Sequence, residues 1–387
     1  MCKGRRENTR YEPLMLRAIF TLDYEIHGNG DGCPRTLMVE PTDRLLRLFD
    51  EYGARLTIMA DVAEILKFKE YKEEVGRDDY CYDAIVDQLR SALSRGHDVQ
   101  LHIHSSYFKA HHNQGRWRQD WSEYDFAGLP YDRMVWMVGT GKEFLETLLR
   151  PVNQAYRCIA FRAANWSVSP SRNVVNALLE NNILIDTSVF KGGGRQGRVT
   201  FDYSNAHHHM RPWPASPNDI CCYASDSRLW EFPIYAEQRR IVAFLSINRF
   251  YRALLGRFHR VDMPTLPSQD EPPVKVNVVP KSAWLLRKQP WKADFNQCSG
   301  RQLINALLRA ERQTSVMEIV PFVLIGHSKL FTSWNETTLR PFLAFVCKQE
   351  GRFDFGTFAY FTQQIDQINP NPHSLYGTLN RGESARR

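Results

Sequence analysis

A chain of 387 residues, 43% apolar and 24% charged, has the length and balance of a globular protein with one large α/β domain or two ordinary ones. Its net charge of +7 gathers at the ends, in Lys3, Arg5, Arg6 and Arg10 and again in Arg381, Arg386 and Arg387; no basic helix with base-reading side chains occurs, which argues against nucleic acid as a partner. No run approaches the roughly 18 apolar residues of a membrane span, the 8 cysteines form no Cys-x-x-Cys pair, and the start lacks an apolar secretory core.

These features predict a cytoplasmic protein with reduced thiols. They leave room for peripheral membrane contact through attraction to phosphorylated or membrane-linked substrates. The termini, 1–13 and 366–387, read as disordered polar tails around one domain over 14–365.

The first predicted strand, from Ala18, ends in Asp23, Tyr24 and Glu25. A helix follows from Pro41 to Gly53, with Pro at its start and Gly at its end. Next come a strand over Arg55–Ala60, a helix over Tyr82–Arg95, and a strand from Asp98 that ends in His102 and His104. A helix closes near Arg150, and a strand runs from Tyr156 to Arg162. Helix Ser171–Asn181 feeds a strand over Ile183–Asp186, and further strands fall at Leu229–Ile234 and Val316–Ile325 before a helix over Thr338–Gln349. Repeated β–α units with nearly continuous apolar strands predict an α/β fold, a distorted (β/α) barrel of about seven parallel strands.

Long connections at 105–134 and 191–228 are expected over the site, and the irregular stretch 261–292 has no assigned role. His27 to Gly32 lacks the Gly-x-Gly-x-x-Gly spacing of a dinucleotide turn, and Lys191-Gly-Gly-Gly lacks the context of a phosphate loop. His207-His-His209 reads as a solvated loop, and the Asn335-Glu-Thr337 sequon carries no meaning without secretion.

Asp23 and Glu25, like His102 and His104, are two residues apart, so on a strand each pair faces one way. Arg162, Asp186 and His327 also stand at or just beyond strand ends. Each alone suits a turn cap or a structural hydrogen bond. Together, at the carboxyl ends of parallel strands, they would converge on one opening. Two carboxylates facing two imidazoles suit a divalent metal with an acid–base group beside it.

At these residues the chain resembles the polysaccharide deacetylases, the NodB-homology or carbohydrate esterase family 4. TLDYE, LHIH, FRAANW, IDTS and LIGHSK look like that family's successive motifs, in order, across about residues 14–365. The resemblance implies a divalent metal, zinc being the usual one, that activates water to hydrolyse an N-acetyl group. It also implies Asp23 as general base, Glu25 and His102 as metal ligands, and Arg162 holding the base. Trp166 would wall the acetyl pocket, Asp186 would orient the last histidine, and His327 would be that histidine, the general acid. A backbone N–H near Tyr24 could serve the oxyanion.

One departure concerns the metal. The family's second histidine falls four residues after the first, where this chain has Ser106; His104 is taken as the third ligand instead. Trp117, Trp121 and Tyr124 could stack on sugar faces or anchor their loop, and Glu231 is expected at the rim of the site. The reading is a metal-dependent hydrolase that deacylates an N-acetylated sugar or glycan precursor. A related amide hydrolase, such as a deformylase or ring-opening amidase, and a glycan-binding barrel without metal are the alternatives.

Overall fold

The computed structural model describes residues 15–26, 28, 30–245, 247, 249–250, 288–314, 319–349 and 351–362; the two expected tails and residues 261–287 lie outside these. The chain opens with β1 (Met15–Tyr24), an apolar run buried from Ala18 to Tyr24. A helical segment over Arg35–Val39 leads into α1 (Glu40–Glu51), which has Pro41 in its first turn and buries Leu45, Leu46, Leu48 and Phe49. Gly53, at φ +63°, turns the chain out of it. Each such side chain taken fully out of water contributes about 1.5–3 kcal/mol.

Next come β2 (Leu56–Asp61), α2 (Val62–Val75), α3 (Tyr82–Ser94) and β3 (Asp98–Ile103). Helix α2 is absent from the sequence reading, although Ile65, Phe68 and Tyr71 mark its buried face. The connection after β3 folds as a hairpin of β4 (His111–Asn113) and β5 (Arg116–Arg118) before α4 (Tyr131–Leu149). Strand β6 (Ala160–Ala163) starts later than expected, because the N–H groups of Ile159 and Ala160 both donate to Gln100 Oε1 at 2.8 Å. A side chain replaces the ladder there.

Helix α5 (Ser171–Glu180) and β7 (Ile185–Asp186) follow, then a hairpin of β8 (Gly194–Arg195) and β9 (Phe201–Asp202). Strands β10 (Trp213–Pro214), β11 (Trp230–Glu231) and β12 (Ala236–Arg239) come next, the last pairing with β13 (Gln289–Lys292). Next come α6 (Gly300–Arg312), β14 (Ile319–His327), α7 (Ser333–Cys347) and β15 (Phe353–Phe355). Helix α6 also escaped the sequence reading, although Leu303, Ala306, Leu307 and Ala310 repeat as one buried stripe. Helix α7 begins five residues before the expected Thr338, because Thr332 and Asn335 form a reciprocal cap. Asn335, the acceptor of the sequon, is buried in that cap.

The main sheet has the order β10-β11-β7-β6-β3-β2-β1-β14, with β15 pairing to β1. Every pairing is parallel except β10 with β11. This corrects the expected barrel of about seven strands: the sheet is curled and mostly parallel, but not closed by a ladder. Among the described residues, only isolated bridges stand between β11 and β14, Ile234 with Val323 and Asp294 with Ile325. Strands β7 and β11 are two residues long, and Pro233 has no N–H to give, so no ladder propagates across that gap.

Register then sets the site. Asp23 stands opposite His327, Asp61 opposite His102, and His102 opposite Arg162. A row of polar side chains thus crosses the carboxyl ends of neighbouring strands.

Candidate active site and metal-binding group

Arg162, fully buried, organises one half of the site. Its Nη1 donates to Asp23 Oδ1 at 2.6 Å, Nη2 to Thr21 Oγ1 at 2.8 Å, and Nε to the Thr187 carbonyl at 2.9 Å. Burial alone would raise the Asp23 pKa; Arg162, aided by His102 and His327, outweighs it and holds the carboxyl below its ordinary value. Asp23 is therefore an ionised acceptor at neutral pH. Its Oδ2 lies 3.5 Å from His327 Nε2. Burial dominates at His327 and, despite Asp23, lowers its pKa, so the imidazole rests neutral.

The other half is built around Glu25. Its Oε2 is 3.1 Å from His102 Nε2 and 3.2 Å from His104 Nδ1. His102 Nδ1 lies 2.9 Å from the Arg162 carbonyl, an acceptor only, so that nitrogen carries a proton. Its Nε2 then turns a lone pair on the Glu25 carboxylate, an arrangement that needs a proton or a cation between them. Burial opposes the charged imidazole, but Glu25 and Asp23 prevail and raise the His102 pKa.

His104 Nδ1 is also 2.6 Å from Asp61 Oδ2, and its backbone N–H donates to Asp61 Oδ1 at 3.3 Å. Ser106 is turned away, donating to Gln119 Oε1 at 2.7 Å. Glu25, His102 and His104 offer ligand atoms all within 4.8 Å of one another. One carboxylate and two imidazoles, the His102 ring being oriented through its Nδ1 by the Arg162 carbonyl, are a donor set suited to a divalent cation. The residues present fit such a group. Lys329 Nζ, 2.6 Å from Glu25 Oε1, balances the remaining charge. Burial raises the Glu25 pKa, yet Lys329 and the two histidines carry it well below the usual carboxylate range.

The remaining expected residues divide. Trp166 stands edge-on to His327, ring centroids 6.3 Å apart, as a wall would. Asp186 does not meet His327, contrary to expectation. Its oxygens accept from the N–H and hydroxyl of Ser188, and it pairs with Glu231. His327 Nδ1 has no hydrogen-bond partner among the described residues, and Asp23 is the carboxylate its Nε2 faces.

Glu231 is likewise not at the rim; it is fully buried, and burial and then Asp186 push its pKa well above normal. Burial beside Asp186 therefore favours the protonated form of the Glu231 carboxyl. The Tyr24 side chain faces away, donating to Gln88 Oε1 at 2.7 Å, because neighbours on a strand alternate faces. Trp117 is an anchor rather than a platform: only 3% exposed, it packs against Tyr80 and His112 at 5.2 and 5.5 Å. Trp121 is partly exposed beside Tyr124, whose hydroxyl donates to Asn165 next to Trp166. His208 accepts from the N–H groups of Met210 and Arg211 and serves its own loop.

Sequence reading passed over Asp61, Glu64, Lys329 and Lys292. Asp61 ends β2 as Asp23 nearly ends β1, so the strand-end rule could have found it. Glu64 lies in the first turn of α2, which went unread; it accepts from the Ile26 N–H at 2.9 Å, and burial and then Asp61 raise its pKa well above normal. Lys329 sits two residues past His327, and Lys292 closes the stretch that had no role.

No protein-family model matches the chain, and no curated protein does. Among solved structures it is similar to a probable polysaccharide deacetylase from Pseudomonas aeruginosa, at 11% identity and TM-score 0.44, over 92% of each chain. The PuuE allantoinase gives the same identity, coverage and TM-score. A family 4 acetyl xylan esterase from Clostridium thermocellum, in complex with a cobalt ion, is 10% identical with TM-score 0.36, over 92% of this chain and 93% of that one. At such values these likenesses carry no argument of their own. No helix among the described residues is long and apolar enough to cross a membrane.

Proposed function

We propose that this chain is a hydrolase that removes an N-acetyl or related acyl group from a sugar or glycan precursor. The observation that carries the reading is the junction of two units at one set of strand ends: Asp23 held by Arg162 and facing His327, beside Glu25 facing His102 and His104. The motif resemblance supports the acyl-sugar class, and Trp166 against His327 supports an apolar wall for a small acyl group. The seven cysteines among the described residues are free thiols, in keeping with action in the cytoplasm.

Glu25, His102 and His104 would hold the divalent cation, zinc being the expected one, which when bound supplies Lewis-acid polarisation of the amide carbonyl and of water. The overall reaction consumes one water and yields a free amine and a carboxylate. Asp23 Oδ2 is the acceptor for the proton that water must lose. Because Asp23 is kept ionised by Arg162, it is competent as a base at neutral pH. His327, resting neutral, can take that proton on Nε2 across the 3.5 Å gap and give it to the departing nitrogen. Asp186 has no part in this transfer. With Glu231 it fixes the turn after β7, where Thr187 offers its carbonyl to Arg162.

The test is release of acetate from N-acetylated sugars by protein reconstituted with zinc or cobalt, with Asp23→Asn as the control. Activity present in the wild type and lost in the variant supports the reading. Failure on sugar polymers, lipid-linked sugars and nucleotide-linked sugars alike would reject it.

A further inference from the structure

Lys292, at the end of β13, has no hydrogen-bond or ion-pair partner for its ammonium among the described residues. Its Nζ stands 3.6 Å from the centroid of the Trp166 ring and 4.4 Å from that of Phe190. Those two rings meet edge-on at 5.6 Å and cradle the cation. The Trp166 ring also meets His327 at 6.3 Å, which bounds the distance from the ammonium to the His327 ring at about 10 Å. One aromatic side chain thus touches both the proposed proton donor and an otherwise unpartnered cation.

Aromatic faces attract an ammonium but offer no lone pair to its N–H groups. Covering a charge without an acceptor is costly. Burial accordingly lowers the amine to about 8, opposed by Asp294 and Asp23, and this keeps it mainly charged at neutral pH. Two further cations, one at Asn165 and one at Trp121, have no ion-pair partner among the described residues. Arg195 donates to the Oδ1 of Asn165 at 2.8 Å, and Arg198 lies 6.0 Å over the ring of Trp121 and donates to its carbonyl. This approach to the site therefore carries three positive groups, none of which has a carboxylate within ion-pair distance among the described residues.

We propose that Lys292 is the anion-binding residue of this site, and that the substrate is an acidic N-acyl sugar or glycan whose carboxylate or phosphate pairs with the Lys292 ammonium. The assignment of an acyl sugar rests on the function proposed above; the anion site rests on the cradle itself. Lys292 acts here in specificity. Trp166 contributes by holding Lys292 and His327 on a single ring, so that the anion and the scissile amide are placed about one sugar residue apart.

The test is calorimetric titration of the full chain, at neutral pH and low salt, with three probes: N-acetylglucosamine, its 1-phosphate, and 2-acetamido-2-deoxyglucuronic acid. Wild type is compared with Lys292→Gln and Lys292→Arg. At least one anionic probe should bind the wild type about tenfold more tightly than the neutral sugar, or about 1.4 kcal/mol. Lys292→Gln should erase that advantage and leave the neutral sugar's affinity within about twofold, while Lys292→Arg keeps most of it. Which anion gains tells phosphate from carboxylate.

Equal binding of neutral and charged sugars by the wild type would overturn the proposal, as would an advantage that survives in Lys292→Gln, or no binding of any probe. Thermal melting establishes that Lys292→Gln folds; if it does not, wild-type charge discrimination and the behaviour of Lys292→Arg decide. Lys292-dependent anion binding without acetate release would reject the deacylase function and leave the anion site standing. Acetate release with no preference for charge would do the reverse.

Discussion

Asp23 and His327 stand opposite one another in the β1–β14 ladder, and their side chains meet at 3.5 Å. A base and an acid so close can pass one proton between them and act as a single unit. Asp23→Asn and His327→Gln should each lower kcat for acetate release by about 10²–10⁴. The double variant should be little worse than the poorer single one, since groups that act together are non-additive. Losses that simply multiplied would show that the two residues work independently.

Arg162 is buried with Asp23, and its three donors are spread over Asp23, Thr21 and the Thr187 carbonyl. Arg162→Met leaves the Asp23 carboxylate buried without its partner, an effect of about 3–5 kcal/mol on unfolding. Arg162→Lys should recover little, because a single ammonium cannot make three bonds in a fixed fork. Urea unfolding curves of both variants check this, and near-wild-type stability in Arg162→Lys would refute the fork.

Purified protein should carry close to one zinc-class ion per chain by elemental analysis. His102→Ala and His104→Ala should each weaken binding by about a hundredfold or more. Asp61→Asn, which removes the carboxylate charge 2.6 Å from His104 Nδ1, should cost about 10–100-fold. Binding lost in His102→Ala but kept in His104→Ala would remove His104 from the ligand set.

Two adjacent residues should oppose each other in the acid range. His97 Nδ1 accepts from the Leu56 N–H at 3.1 Å, so its neutral form is built in, and burial lowers its pKa to about 4. The unfolded chain binds this proton first, so stability falls as pH drops from the ordinary value of 6.5 toward 4. Asp98 behaves oppositely: burial raises it to about 6, and its native state gains stability as pH falls from there toward 3.8. Each effect is of order 3 kcal/mol at most. Asp98→Asn should therefore steepen the acid loss of stability and His97→Gln flatten it, as followed by melting temperature between pH 4 and about 6.5. Identical slopes in the two variants would contradict the assignment.

Trp117 separates a structural from a functional role for the loop aromatics. Trp117→Ala should cost about 3–5 kcal/mol of stability, because the ring fills a site among Phe68, Tyr71, Tyr80 and His112. Trp117→Phe should retain turnover and sugar affinity. A selective rise in KM with unchanged stability would return Trp117 to the substrate.

The α/β character, most strands, and the identity of the polar residues at their ends were legible in the sequence, because strand alternation and apolar runs are local properties. Asp23, Glu25, His102, His104, Arg162 and His327 all come together, since in parallel strands that share a register the carboxyl ends line up. What required the tertiary structure were the relations between strands. Spacing could not tell that Asp186 would be consumed by Glu231 and Ser188, because their pairing depends on the β7–β11 register. Nor could it tell that Lys329 would neutralise Glu25, or that Lys292, distant in sequence, would be laid over Trp166. Whether the sheet closes was likewise undecided by periodicity, which fixes the direction of side chains along a strand and not how its edges meet. A strand's own pattern decides which residues it offers to the site; the packing of the other strands decides which of them meet.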